Sequence, residues 1–243
     1  MTGVPLNMIQ TIPQRLGALD WFAVQESLAQ DGYAITPPLL GVDECCELIS
    51  LYDQDSNFRS RIVMSRFGFG RGEYKYFSNP LPKLVSELRD GAYPKLASIA
   101  NVWSGQIGGP SFSERYPEFL RVCHKAGQRK PTPLLLRYEA GDFNCLHQDL
   151  YGEVAFPSQM ALFLSRPGTD YTGGEFVLVE QRPRMQSRAT ALLPEQGQAV
   201  IFHTRYRPVS GSRGFYKANL RHGVSPVRSG LRFTLGIIFH DAK

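Results

Sequence analysis

No run of about 18 apolar residues occurs in this 243-residue chain, so nothing in it reads as a membrane-spanning helix. Residues 1 to 14 lack the basic start and apolar core of a secretory leader, and the expected compartment is the cytoplasm. Cysteine is sparse. Cys45, Cys46, Cys123 and Cys145 include an adjacent pair but no Cys-x-x-Cys spacing, which argues against a disulfide framework and against a zinc site. No internal repeat is visible. Gly68, Gly70 and Gly72 fall at alternate positions, but without a βαβ setting they do not make a dinucleotide-binding turn.

What is present suits one enzyme domain. A hydrophobic content of 42% can bury a full core, and residues 1–243 divide into a loose arm (1–14), a helix-rich support (15–130) and a β-rich part (131–243). The net charge of +5 is unevenly placed: residues 182–232 hold ten Lys or Arg against one acid, Glu195. Such a field attracts anions, nucleic-acid phosphates included. It is equally what a solvated basic surface, with one arginine kept for a dicarboxylate, would give.

The helical period predicts helices over 21–31, capped by Asp20 and stopped at Gly32, and over 42–53, with a short strand at 33–36 between them. Further helices are expected over 81–106, broken at Gly91 and near Pro94, and over 113–126. Residues 66–77 interleave rings, cations and glycines. They read as a packed hairpin with bulges or as a substrate lid, with Arg66, Tyr74 and Tyr76 as candidate substrate-binding residues. From Pro131 onward, short apolar runs at 134–138, 145–149, 159–165, 175–180, 198–203, 215–221 and 231–240 predict strands in two facing sheets, a mostly β jelly-roll braced by the N-terminal helices.

If residues 145–149 are extended, His147 and Asp149 project from one face as an imidazole and a carboxylate. A second imidazole would complete the 2-His-1-carboxylate triad of non-haem Fe(II) sites, which leaves positions open for ligands. His222 is the candidate, with His203 as its rival. His124 and His240 are expected at the surface or at a cap. Cys145 alternates with His147 and should face the same cavity.

Tyr138, Gly141, His147 and Asp149, answered by His222, Pro226, Gly230 and Arg232, have a spacing that resembles the 2-oxoglutarate and Fe(II)-dependent oxygenase superfamily, in its prolyl-hydroxylase-like branch. The branch more often carries Lys where Arg232 stands and a second Tyr where Asn144 stands, two departures that point away from prolyl substrates. The resemblance covers residues 131–241 and implies a double-stranded β-helix, Fe(II) held by His147, Asp149 and His222, and 2-oxoglutarate and O2 as cosubstrates. In that setting Arg232 meets the distal carboxylate with a bidentate fork, Thr234 adds a hydroxyl and Tyr138 a phenol; Arg228 is the weaker alternative to Arg232. The implied reaction hydroxylates a C–H bond and releases succinate and CO2. The terminal run from Arg221 to Asp241 is also similar to a bacterial oxygenase group thought to demethylate damaged nucleic acid oxidatively, which makes alkylated bases one expected substrate class. A peptide or amino-acid hydroxylase is the alternative. A non-catalytic 2-oxoglutarate or iron sensor is an alternative of another kind.

Overall fold

The computed structural model describes residues 10–243. Its helices are α1 (Ile12–Gly17), α2 (Trp21–Asp31), α3 (Val42–Ser50), α4 (Lys83–Ile107) and α5 (Tyr116–Lys125). Residues 1–9 of the expected loose arm lie outside the described residues. The rest of that arm is not loose, because Ile12 is buried at the start of α1 and Arg15 pairs with Glu44 at 2.6 Å. Asp20 caps α2 by accepting the Ala23 N–H at 3.0 Å, and Gly32 ends it in the left-handed region at φ 83°, as the sequence predicts.

The strands are β1 (Tyr33–Ile35), β2 (Phe58–Val63), β3 (Gly70–Arg71), β4 (Glu73–Phe77), β5 (Leu134–Tyr138), β6 (Phe143–His147), β7 (Ser158–Phe163), β8 (Tyr171–Gly173), β9 (Phe176–Gln181), β10 (Arg188–Leu192), β11 (Ala199–His203), β12 (Tyr206–Gly211), β13 (Gly214–Val224), β14 (Val227–Gly230) and β15 (Arg232–Ile238). A major sheet runs β1-β11-β7-β15-β5-β4-β2 and a minor one β10-β9-β13-β6-β3, with β12 beside β13 and a small β14-β8 ribbon. These antiparallel sheets make the jelly-roll. Alternation within β7 shows how the layers divide: Met160 and Leu162 pack with the helices, whereas Ala161 and Phe163 join Phe176, Leu178 and Phe202 between the sheets. A strand covered on both faces has no polar face to show, hence its unbroken burial.

Two expectations are corrected here. Helix α4 runs through Gly91 and Pro94 without a break. An interior proline costs about 3 kcal/mol, but burying Val85, Leu88, Tyr93, Leu96 and Trp103 returns roughly 1.5–3 kcal/mol for each large side chain. Gly91 serves the packing, since a Cβ there would lie 2.8 Å from Leu16 Cδ1 of α1. Residues 66–77, in turn, do not fold back on themselves. β3 joins β6 in the minor sheet, while β4 joins β2 and β5 in the major one.

Arg89 ties α4 to the end of β15. Fully buried, it donates to the carbonyls of Ile238 at 2.9 Å and Phe239 at 3.1 Å, and pairs with Asp241 at 2.8 Å. His124, half exposed, meets the other Asp241 oxygen at 2.9 Å, in keeping with a surface role. His240 does not. It is buried, accepts the Phe156 N–H on Nδ1 at 3.1 Å, and burial pushes its pKa down to about 4. His203 is also buried, its ring 3.8 Å from that of Trp103, and burial, with the Arg207 charge adding to it, pushes its pKa down to about 3.

Two predictions follow from these buried groups. Arg89→Leu leaves Asp241 charged and half-partnered inside the protein, and chemical denaturation should show a loss of about 3–5 kcal/mol; a loss below about 1 kcal/mol would show that the staple is dispensable. As for pH, His203 and His240 stay neutral when folded but protonate near 6.5 when unfolded. The unfolded chain therefore binds more protons between pH 6.5 and the folded values. Stability should fall as pH drops through that window, by at most roughly 1.4 kcal/mol per pH unit for each histidine. Melting curves from pH 7 to 4 should show this slope, and His203→Phe should flatten part of it.

Candidate active site

Strand β13 pairs with β6 so that His222 lies directly opposite His147, and Asp149 follows two residues past the end of β6. The expected strand through residue 149 thus stops at His147, yet the three side chains converge. His147 Nε2 is 3.4 Å from Asp149 Oδ1, His222 Nε2 is 3.3 Å from Asp149 Oδ2, and one donor atom from each falls within 4.8 Å of the others. His147 Nδ1–H donates to the Cys145 carbonyl at 2.7 Å, which turns Nε2 toward the cluster. Gly223, beside His222, allows the close approach, because a Cβ there would sit 2.6 Å from the Asn144 carbonyl oxygen.

Charge favours an ionised Asp149. Burial alone would raise the Asp149 carboxyl, but hydrogen bonds and charge from His147 and His222 hold it well below the usual carboxylate range. Burial and the charge of His147 lower His222, while in His147 burial is outweighed by Asp149 and the pKa rises. Sequence reading missed Tyr151, whose hydroxyl donates to Asp149 Oδ1 at 2.7 Å. Its place beyond His-x-Asp was the available signal.

The same inter-sheet cavity, of about 310 Å³, reaches Arg232 and Thr234 on β15. Arg232 is 1% exposed, and its Nε and both terminal nitrogens have no hydrogen-bond partner among the described residues. The Thr234 hydroxyl and the Tyr171 hydroxyl, also buried, are likewise without one. The register sets Arg232 opposite Tyr138, its guanidinium 5.3 Å from that ring. The Tyr138 phenol accepts from Asn144 at 3.4 Å. A buried guanidinium with no partner calls for an anion, and hydroxyls beside it suit a carboxylate. Nothing in the sequence around Tyr171 announced its part in this cluster.

The other candidates separate. Tyr74 lines the cavity, whereas Tyr76 is buried behind it, edge-on to Tyr74 at 5.3 Å and covered by Arg59 at 4.4 Å. Arg66 is exposed and lies off the cavity lining. Cys145 lines the cavity but is exposed, Arg228 points to solvent, and His203 stays in the core against Trp103. The basic segment is only partly a surface field. Arg207 and Arg182 both bind Glu180 and Arg232 is buried, leaving Arg184, Arg188, Arg205, Arg213, Lys217, Arg221 and Arg228 exposed.

Residues 72–242 match the Oxygenase-NA family, described as an oxygenase catalysing oxidative methylation of damaged DNA. Two uncharacterised proteins from strains of Mycobacterium tuberculosis are each 50% identical over 167 residues, covering 68% of this chain and 72% of their own. A prolyl hydroxylase from Trichoplax adhaerens, solved with a hypoxia-inducible factor peptide fragment, superposes with a TM-score of 0.55 at 14% identity, over 98% of this chain and 94% of that one. An oxidoreductase of the 2OG-Fe(II) oxygenase family from Burkholderia pseudomallei gives 0.50 at 15% identity, over 93% of each chain. Those two likenesses are of fold. No helix among the described residues is long and apolar enough to cross a membrane. The family match spans both halves of the cavity, and the chain belongs to the Oxygenase-NA family of oxygenases, built on the jelly-roll of the 2OG-Fe(II) oxygenases.

Proposed function

We propose that this oxygenase uses Fe(II), 2-oxoglutarate and O2 to hydroxylate a C–H bond, and that its substrate is an alkylated base of damaged nucleic acid, from which it removes the alkyl group. The observation that carries the cofactor reading is the pairing of two features on one cavity: the three candidate metal donors His147, Asp149 and His222, and a buried Arg232 whose side-chain nitrogens have no partner among the described residues. His147, Asp149 and His222 would hold the metal through two nitrogens and an oxygen, leaving positions open. Arg232, Thr234 and Tyr171 would hold the distal carboxylate of the cosubstrate, with Tyr138 beside it. When bound, the iron supplies the oxidising power for C–H cleavage, matched by loss of CO2 from 2-oxoglutarate to give succinate.

The chain's own part is positioning. Tyr151 fixes the carboxylate, the Cys145 carbonyl fixes one imidazole, and Phe176 and Phe202 flank His222 at 5.8 and 4.7 Å between ring centres, keeping water from it. Oxygen placed in an N-methyl group gives an N-hydroxymethyl group, which splits to formaldehyde and a restored N–H. The chemistry therefore runs toward methyl removal. Exposed Arg184, Arg188, Lys217, Arg221 and Arg228 support a polyanionic partner. A peptide or amino-acid hydroxylase is the second reading, favoured by the fold it shares with a prolyl hydroxylase solved with its peptide. Four free cysteines accord with a cytoplasmic setting.

His147→Ala, Asp149→Ala and His222→Ala should each abolish Fe(II) binding and succinate release, while His203→Ala keeps both. Arg232→Ala should raise the 2-oxoglutarate requirement roughly tenfold or more, with Arg232→Lys recovering part, because Lys keeps the charge but loses the fork. Equal cosubstrate affinity in Arg232→Ala and the parent would remove Arg232 from the assignment. Succinate release measured on alkylated oligonucleotides, peptides and amino acids decides the substrate class.

A further inference from the structure

Gln159 is the one cavity-lining carboxamide whose buried nitrogen has no partner among the described residues, and the cofactor assignment leaves it unused. It is 4% exposed. On β7 it shares a face with Ala161 and Phe163, the residues that look between the sheets, so its side chain enters the barrel. The registers place it far from the Arg232 end: Phe163 stands opposite Thr234, whereas Gln159 stands opposite Ile238. On its other side it stands opposite Phe202, whose ring is 4.7 Å from that of His222. Gln159 therefore sits at the end of the cavity away from the cosubstrate seat, one strand from a metal donor.

A buried amide nitrogen without a partner is costly, and Met or Leu would fill the same volume without that cost. Its surroundings are suited to a flat ligand. The next inward-facing positions are small, Ala161 and, opposite it, Gly236, while the rings of Tyr74 and Phe202 line the same cavity. A carboxamide presents a donor and an acceptor side by side, the pair that matches an amino group next to a ring nitrogen, as on adenine. A pyrrolidine ring has no such edge. From this, and resting on the nucleic-acid reading of the same cavity, we propose that Gln159 is a specificity-determining residue that hydrogen-bonds the donor–acceptor edge of the extruded, alkylated base while the flanking rings stack on its face.

The test separates base from backbone. Fluorescence anisotropy would compare a single-stranded oligonucleotide carrying one N1-methyladenine with the same strand carrying an abasic site. The enzyme would be loaded with Fe(II) and 2-oxoglutarate under argon so that nothing turns over. The parent enzyme should bind the base-bearing strand roughly tenfold tighter than the abasic one, the worth of one well-made bidentate pair. Gln159→Met should lose that margin and leave abasic binding unchanged. Gln159→Met should melt no lower than the parent, since it removes an unsatisfied amide, so a folding defect is distinguishable. An undiminished margin in Gln159→Met overturns the Gln159 inference alone. No margin in the parent, or binding of a proline-containing peptide in place of either strand, overturns the nucleic-acid reading as well.

Discussion

The pairing of β13 with β6 is the constraint on which the centre depends. It is backbone hydrogen bonding, indifferent to metals, that sets His222 against His147 across two strands of the minor sheet. Because side chains alternate, a slip of one residue would turn His222 outward and Arg221 inward, and the donor set would vanish with the fold intact. The long antiparallel run of β13 against β9 holds this register from the other side. The site is therefore as stable as the sheet.

The two ends of the cavity rest on different strands but one alternation. Arg232, Thr234 and Gly236 point inward from β15, and Leu134, Leu136 and Tyr138 do so from β5, so the major sheet supplies the cation, the hydroxyl and an apolar wall. The minor sheet supplies the candidate donors His147 and His222, with Asp149 just past the end of β6. Neither sheet alone carries a site, and the Arg89 staple at the far end of β15 fixes the strand on which the arginine sits.

Much of this was legible in the sequence, and the limits have physical reasons. All seven expected strands of the β-rich part are present, most of them runs of apolar residues bounded by turn residues. Strands β8, β10, β12 and β14 were not foreseen, since short polar segments such as 188–192 make pairs without burying a continuous face. The triad and Arg232 were legible because spacing along two strands translates directly into a shared face. Tyr171 and Gln159 were not, for their placement depends on which strands become neighbours across the barrel, and alternation within one segment says nothing about that; Tyr151 was missed although its bond to Asp149 is local. His240 misled for a related reason: a histidine near the chain end looks peripheral until the terminal strand is seen to lie in the core.

The seat around Arg232 is closed in, whereas Phe69 and Leu146 at the rim of the same cavity are 46% and 43% exposed. The cavity that reaches the seat is thus lined at these two residues by exposed side chains. A small diacid can pass them while the rim is bare, but a macromolecule lying across Phe69 and Leu146 would shut the way in. Under the proposed function, this arrangement would set an order of events: the small cosubstrate would enter first, the large substrate would close the way behind it, and the spent diacid would leave after the large product.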